Sequence, residues 1–222
     1  MDKQVYLASG FFCPQQLADL EAMKAACVSA DLSYYSPKDE VVCPADAPAN
    51  FAAFVLKSNE DAIRASGRVF ANLRHKDLGT SFEVGLAAAL GNSISYWTGG
   101  GLSNSANKQL LIEAKTANTA CTALLNWASP WEIKGVTKIA EQAYVVSTVG
   151  KRVESIVAAG WLYAKACRVI YYCPGLPPGA QFNLMLAATG IAVATSEVDL
   201  AYCTAAAQLD SSWTRPYGGL IE

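Results

Sequence analysis

Histidine is almost missing from this chain of 222 residues: His75 is the only one. That excludes metal cages and proton relays built on several imidazoles. The seven cysteines (Cys13, Cys27, Cys43, Cys121, Cys167, Cys173, Cys203) are scattered and odd in number, with no C-x-x-C pair. Neither a zinc knuckle nor a dithiol redox centre is written there, and free thiols suit a reducing cytosol. Charge is sparse, with 17 Lys and Arg against 19 Asp and Glu for a formal net charge of -2. Nothing electrostatic draws such a chain to a polyanion, so nucleic acid is excluded as a partner. Long apolar runs are missing too. VESIVAAGWLYAKACRVIYY is broken by Lys165 and Arg168 well short of a bilayer span, and MDKQV leads into strand-like VYLA without a signal-type region. A cytoplasmic protein with no membrane partner is expected. Finally, no G-x-G-x-x-G follows the first strand, which excludes a dinucleotide-binding Rossmann domain.

What is present is an alternation of short β-branched runs with helical stretches. QVYLAS, LSYYSP, RVFANL and SISYW read as strands; PQQLADLEAMKAACVSA, NFAAFVLKSNEDAIRAS and GTSFEVGLAAALG read as the helices between them. This order predicts an α/β fold, a doubly wound and mainly parallel sheet of flavodoxin or Rossmann type with helices on both faces. Ligands bind such sheets beyond the carboxyl ends of the strands. The loops at Ser9–Pro14, Pro37–Ala49, Arg74–Gly79 and Thr98–Ser105 are therefore the ones to watch. Further on, AYVVST, KRVESIVAAGWLYAKA and RVIYYC repeat the strand, helix, strand logic, with Gly85 over Gly160, Ile94 over Val169, Tyr96 over Tyr171 and Ala158 in the place of Glu83. That overlay reads either as a degenerate duplication or as the ordinary likeness of two βαβ units. FNLMLAATG, IAVAT and SEVDLAYCTAAAQL then give a short helix, a last strand and a closing helix.

In DLGTSFEVGLAAALG a carboxylate, Glu83, stands where an apolar helix begins. Buried carboxylates are costly unless paired or used in chemistry. Gly79 allows a tight turn, Thr80 and Ser81 could cap the helix, and Glu83 would lie in its first turn. Thr80-x-x-Glu83 could equally be a capping box with no chemistry in it. The loop after the first strand, SGFF, tips the balance. Ser9 and Gly10 are small, and the adjacent Phe11 and Phe12 suit the flat face of a base, although either could instead staple the next helix to the core. Tyr6, within the strand, can aim its hydroxyl at a carboxylate. His75, in the same loop as Asp77, reads as solvent-exposed rather than catalytic.

Together these residues resemble the nucleoside 2-deoxyribosyltransferase family: VYLASGFF, ANLRHKDLGTSFEVGLAAALG with its D-x-G-T-x-F-E-x-G-x-A pattern, and FNLML. The resemblance covers residues 1–97 and about 180–205 of what reads as one domain over 1–222, and leaves 98–180 unaligned. It implies a homo-oligomer with shared active sites that acts on 2′-deoxynucleosides and free nucleobases, without a cofactor. Glu83 would be the nucleophile, Asp77 would contact the base and manage its proton, and Tyr6 would orient the nucleophile. Asn183, given by a neighbouring subunit, would bind a sugar hydroxyl, and Met185 would close the base pocket. Ser9, Gly10, Phe11, Phe12 and Gly79 would line the substrate site. The family's acidic residue on the preceding helix falls at Asp61 or Glu60, beside Asn59, and its base-reading residue near Lys38 and Asp39.

The residue types agree with that chemistry. A carboxylate can attack an anomeric carbon as the base leaves, and a second base can then displace it with net retention. A nucleoside 5′-monophosphate hydrolase of the same superfamily is the nearest rival. It needs cations for the phosphate, and SGFFCPQQL holds none, although Arg74, Lys76 or Lys108 could approach. A non-catalytic nucleotide-binding module would be expected to carry an apolar or amide residue at position 83.

Overall fold

The period of two in VYLAS sets up the first layer of the structure, a computed structural model that describes residues 3–41, 51–97, 104–126, 133–177 and 182–215 with Gly99, Ala180 and Tyr217. Strand β1 (Val5–Ser9) is buried throughout. Val5 and Leu7 pack on Leu20, Met23 and Cys27 of α1 (Pro14–Ser29), while Tyr6 and Ala8 face the main core on the other side. After β2 (Tyr34–Tyr35) and the single turn α2 (Pro37–Glu40) come α3 (Phe51–Ser66), β3 (Arg68–Asn72), α4 (Leu78–Ala89) and β4 (Ser93–Tyr96). The four strands form a parallel sheet in the order β2-β1-β3-β4. Its chain order reverses between β1 and β3, and at that switch point the loops after the two strands splay apart and leave a crevice.

The rest of the described chain builds a second sheet. Helix α5 (Asn104–Leu125) leads to β5 (Val136–Ala140), β6 (Ala143–Ser147), α6 (Val153–Ala164), β7 (Arg168–Tyr172), α7 (Leu184–Thr189), β8 (Gly190–Ala194) and α8 (Glu197–Leu209). Its order is β5-β6-β7-β8, parallel except for the β5–β6 hairpin. The α/β class and the strand–helix alternation are as the sequence predicts, while the strands divide into two four-stranded sheets. Asn104–Leu125 and the β5–β6 hairpin are elements the sequence pattern did not reveal.

Helices α4 and α6 lie against each other at the centre, joined by one continuous core that takes in Tyr6, Phe82, Leu86, Ile156, Leu162 and Tyr171. Both are apolar nearly all round, as helices without a solvent face must be. Their contact is close because of two glycines. A Cβ on Gly85 would stand 1.8 Å from the Val157 carbonyl oxygen, and one on Gly160 would stand 2.0 Å from that of Phe82. Among the described residues no helix is long and apolar enough to cross a membrane, and the six described cysteines are free thiols.

Candidate active site

The carboxyl end of the first sheet opens into a cavity of about 330 Å³, within the size range of small-molecule sites. Ser9, Phe11 and Phe12 reach it from the loop after β1, and Asp77, Gly79, Thr80 and Glu83 from the loop after β3 and the start of α4. Phe51, Val55 and Asn59 come from one face of α3, and Asn183, Leu184 and Met185 from the start of α7. Pro37 and Val41 border it after β2; residues 42–49 of that loop, most of the Thr98–Ser105 loop and the side chain of His75 lie outside the described residues.

Glu83 is 6 % exposed. Its Oε1 accepts 2.6 Å from the Tyr6 hydroxyl and 3.3 Å from Asn59 Nδ2. Both bonds fall on one oxygen and leave Oε2 outside them. Burial pushes the Glu83 carboxyl up to about 8; the Tyr6 bond opposes the rise and the nearby Asp77 carboxylate adds to it. Burial, then the neighbouring Glu83 charge, raises the Tyr6 phenol well above its ordinary range, so Tyr6 remains a donor. Tyr35 stacks on the Tyr6 ring at 5.6 Å and holds it in place.

Asp77, rather than Thr80 or Ser81, caps α4. Its Oδ2 accepts 2.6 Å from the Thr80 amide and 2.7 Å from the Thr80 hydroxyl. The helix therefore begins at Leu78, which puts Glu83 in the second turn and rules out the Thr80-x-x-Glu83 capping box. Burial and Tyr6 govern this carboxylate, since the helix dipole acts mainly on the first turn. Gly79 lies between Asp77 and Asn183: a Cβ there would be 3.4 Å from Asp77 Oδ2 and 3.5 Å from Asn183 Nδ2. The Asn183 Oδ1 accepts from the Met185 and Leu186 amides as the cap of α7, which turns its amide nitrogen towards the cavity. Met185 is buried, and its sulfur accepts from Asn59 at 3.8 Å.

Two of the sequence expectations do not come together here. Asp61 is exposed on the outer face of α3, paired with Lys57 one turn back, and Glu60 bonds Arg64 at 2.6 Å and the Tyr163 hydroxyl at 3.0 Å. Asn59 takes the position instead. It is 3 % exposed, and among the described residues its Oδ1 has no hydrogen-bond partner. The period of four along Phe51, Val55, Asn59 and Ile63 was the signal that could have separated it from its acidic neighbours. Gly10 does not line the cavity. It supports the loop, with its carbonyl accepting from Ser9 Oγ at 3.1 Å and the Gln16 side chain lying against it. Of the two phenylalanines, Phe11 also packs on the α1 core, whereas Phe12 is 58 % exposed. Of the cations near these loops, Arg74 is paired with Asp19 at 3.1 Å and Lys76 with Glu113 at 3.5 Å. Asp39 is drawn to Lys24 of α1 at 2.7 Å. The side chain of Lys108 lies outside the described residues.

Comparison with known proteins gives one family. Residues 5–113 match the model for "Nucleoside 2-deoxyribosyltransferase". That match contains β1, α3, β3 and α4 and ends before Phe182–Leu186. No curated protein matches the chain. Among solved structures, a 2-deoxyribosyltransferase from the psychrotolerant bacterium Bacillus psychrosaccharolyticus is similar at 21% identity, over 48% of this chain and 80% of that one, with a TM-score of 0.39.

Proposed function

We propose that this chain, which matches the nucleoside 2-deoxyribosyltransferase family over residues 5–113, exchanges the base of 2′-deoxyribonucleosides through a covalent bond to Glu83. The observation that carries this reading is a buried carboxylate held at one oxygen by Tyr6 and Asn59, in a cavity walled by aromatic rings. Glu83 Oε2 attacks C1′ while the C1′–N bond breaks and its electron pair leaves with the base, which takes up a proton that Asp77 relays from solvent. An incoming base then attacks C1′ from the vacated face, its proton passing back through Asp77, and the C1′–O bond breaks to restore the carboxylate. Two inversions give retention. Phe11, Phe12 and Met185 sandwich the base; Asn59 Oδ1, an orphaned buried acceptor, receives a sugar hydroxyl, and Asn183 donates to another. An apolar lining with two carboxylates is a poor host for a phosphate dianion, which favours the nucleoside over its 5′-monophosphate. The free thiols are in keeping with a cytoplasmic salvage enzyme.

Incubation with 2′-deoxyinosine, with and without free adenine or cytosine, tests the reading by chromatography. A new deoxynucleoside that forms only when a base is added is the expected result. Hypoxanthine released equally in both arms would make the protein a hydrolase.

The raised Glu83 carboxyl gives a pH signature. In the free enzyme it carries a proton below about 8 and cannot attack C1′, so kcat/KM should climb as pH rises through that region. A profile flat from about pH 6 to 9 would show that an already ionised group makes the attack.

A further inference from the structure

The segment from β3 to β4 recurs from β6 to β7 at a constant offset of 75 positions. Arg68–Asn72 corresponds to Ala143–Ser147, Leu78–Ala89 to Val153–Ala164, and Ser93 to Arg168; a tight turn precedes each helix at matching places, Arg74–Lys76 with its left-handed residue at Lys76 and Val149–Lys151 with its own one place earlier, at Gly150. The correspondence reaches single backbone bonds. The Ser93 amide donates to the Gly67 carbonyl and the Arg168 amide to that of Gln142; the Asn92 amide donates to the Ala87 carbonyl and the Cys167 amide to that of Leu162. The left-handed residue after each helix also corresponds, Gly91 at φ 81° and Ala166 at φ 55°. Bonds of this kind close many βαβ units, and it is the contact between the two helices that marks these segments as copies.

The contact between the copies is reciprocal at the same offset. Gly85 meets the Val157 carbonyl and the Trp161 amide nitrogen; Gly160 meets the Phe82 carbonyl and the Leu86 amide nitrogen. When residue i touches j and the counterpart of i touches the counterpart of j, the interface is isologous, the pattern of two subunits about a two-fold axis. Here one chain holds both sides of it.

Neither copy is complete by itself. The first holds Glu83 and takes Tyr6 and Asn59 from β1 and α3, which precede the repeat, and among the described residues its sheet ends at β4. The second continues beyond β7 into Asn183, Leu184 and Met185, which enter the first copy's cavity, and its own counterparts of Asp77, Gly79 and Glu83 are Arg152, Glu154 and Ala158. In place of the homo-oligomer that the family resemblance implies, we propose that the second half of this chain occupies the position of a second subunit, so that a single chain carries one whole active site. Its activity readout rests on the function proposed above; its mass readout does not.

Co-expression of Glu83→Ala and Asn183→Ala chains tests the proposal. If sites were shared between chains, mixed pairs would rebuild one intact site and return about a quarter of wild-type transfer. The expected result is no transfer beyond the sum of the two variants measured apart. Because Asn183 also caps α7, Asn183→Asp, which keeps an acceptor there, serves if the alanine variant does not fold. Recovery on mixing overturns the proposal, as does full activity in the Asn183 variants, which would remove α7 from the site. Sedimentation equilibrium of the wild-type chain reads the same point without catalysis: a mass of 23.5 kDa is expected at micromolar concentration, and a stable two-chain particle overturns the proposal. A wild-type chain of that mass with no transfer activity would defeat the proposed function and leave the one-chain unit standing.

Discussion

Glu83→Gln is expected to lower base exchange by a factor on the order of 10⁴ or more, because an amide cannot form the glycosyl bond, while the protein becomes more stable in alkali. The two effects have one cause. A carboxyl raised by burial from 4.5 to about 8 is protonated in the folded state where the unfolded chain has already lost its proton. The folded state then binds more protons than the unfolded state, so stability falls as pH rises from about 4.5 to about 8. At about 1.4 kcal/mol for each unit, the penalty approaches an upper bound of about 5 kcal/mol above that range. Glutamine fits the same space, accepts the Tyr6 hydrogen bond and does not ionise. Thermal unfolding of the two proteins should coincide near pH 4 and separate progressively up to about pH 8, the variant melting higher. A variant with near-normal transfer would take Glu83 out of the chemistry. Melting curves that run parallel at every pH would mean the carboxylate is not held against its solvation.

The parts of this arrangement legible in the sequence are those fixed by local periodicity. Short apolar runs with β-branched and aromatic residues in VYLAS, RVFAN and RVIYY named their strands, and D-x-G-T-x-F-E-x-G-x-A brought Asp77, Gly79 and Glu83 to one edge of the sheet. The cap of α4 was misplaced by three residues or more, since a helix can start at any of several small polar residues and only the bonds to Asp77 Oδ2 decide among them. The polar residue that α3 gives to the cavity was lost in the same way. Lys57 and Asp61 pair on the outer face, Glu60 turns to Arg64 and to Tyr163 of α6, and Asn59 alone of these polar neighbours is left facing the cavity. Helix α5 was not visible because its buried face is carried largely by small residues, Ala114, Ala117, Ala120 and Cys121, which stand out little from the threonines and isolated charges between them. Strand β5 owes its existence to pairing with β6 through the Glu141–Gln142 turn, a tertiary cause that no window over VTKIA contains.

The repeat was visible but undecidable along one dimension, since βαβ units are alike in general and only the helix contact separates descent from likeness. That contact is also where substitution should be most damaging to the fold. Gly85→Ala places a methyl group 1.8 Å from a backbone carbonyl, and Gly160→Ala places one 2.0 Å from its counterpart. No flexible side chain can swing aside at either point, so α4 and α6 must separate along their length and open the core on both sides. A loss of roughly 3 kcal/mol or more is expected for each variant, a fall of about 6–12 °C in Tm for a chain of this size. Gly91→Ala is the fitting control: its backbone is left-handed but nothing among the described residues lies within 4 Å, and it should cost only about 1 kcal/mol of backbone strain. The pair Gly85→Ala/Gly160→Ala should lose less than the sum of the singles, because a separation made for one methyl group accommodates the other. Where the single variants still fold, transfer should fall with stability, since Asn183 and Met185 belong to the half that α6 carries and Glu83 to the half that α4 carries. Alanine variants as stable as the Gly91 control would mean that the two helices do not meet at their glycines, and with that contact would go the reason for regarding one chain as a joined pair.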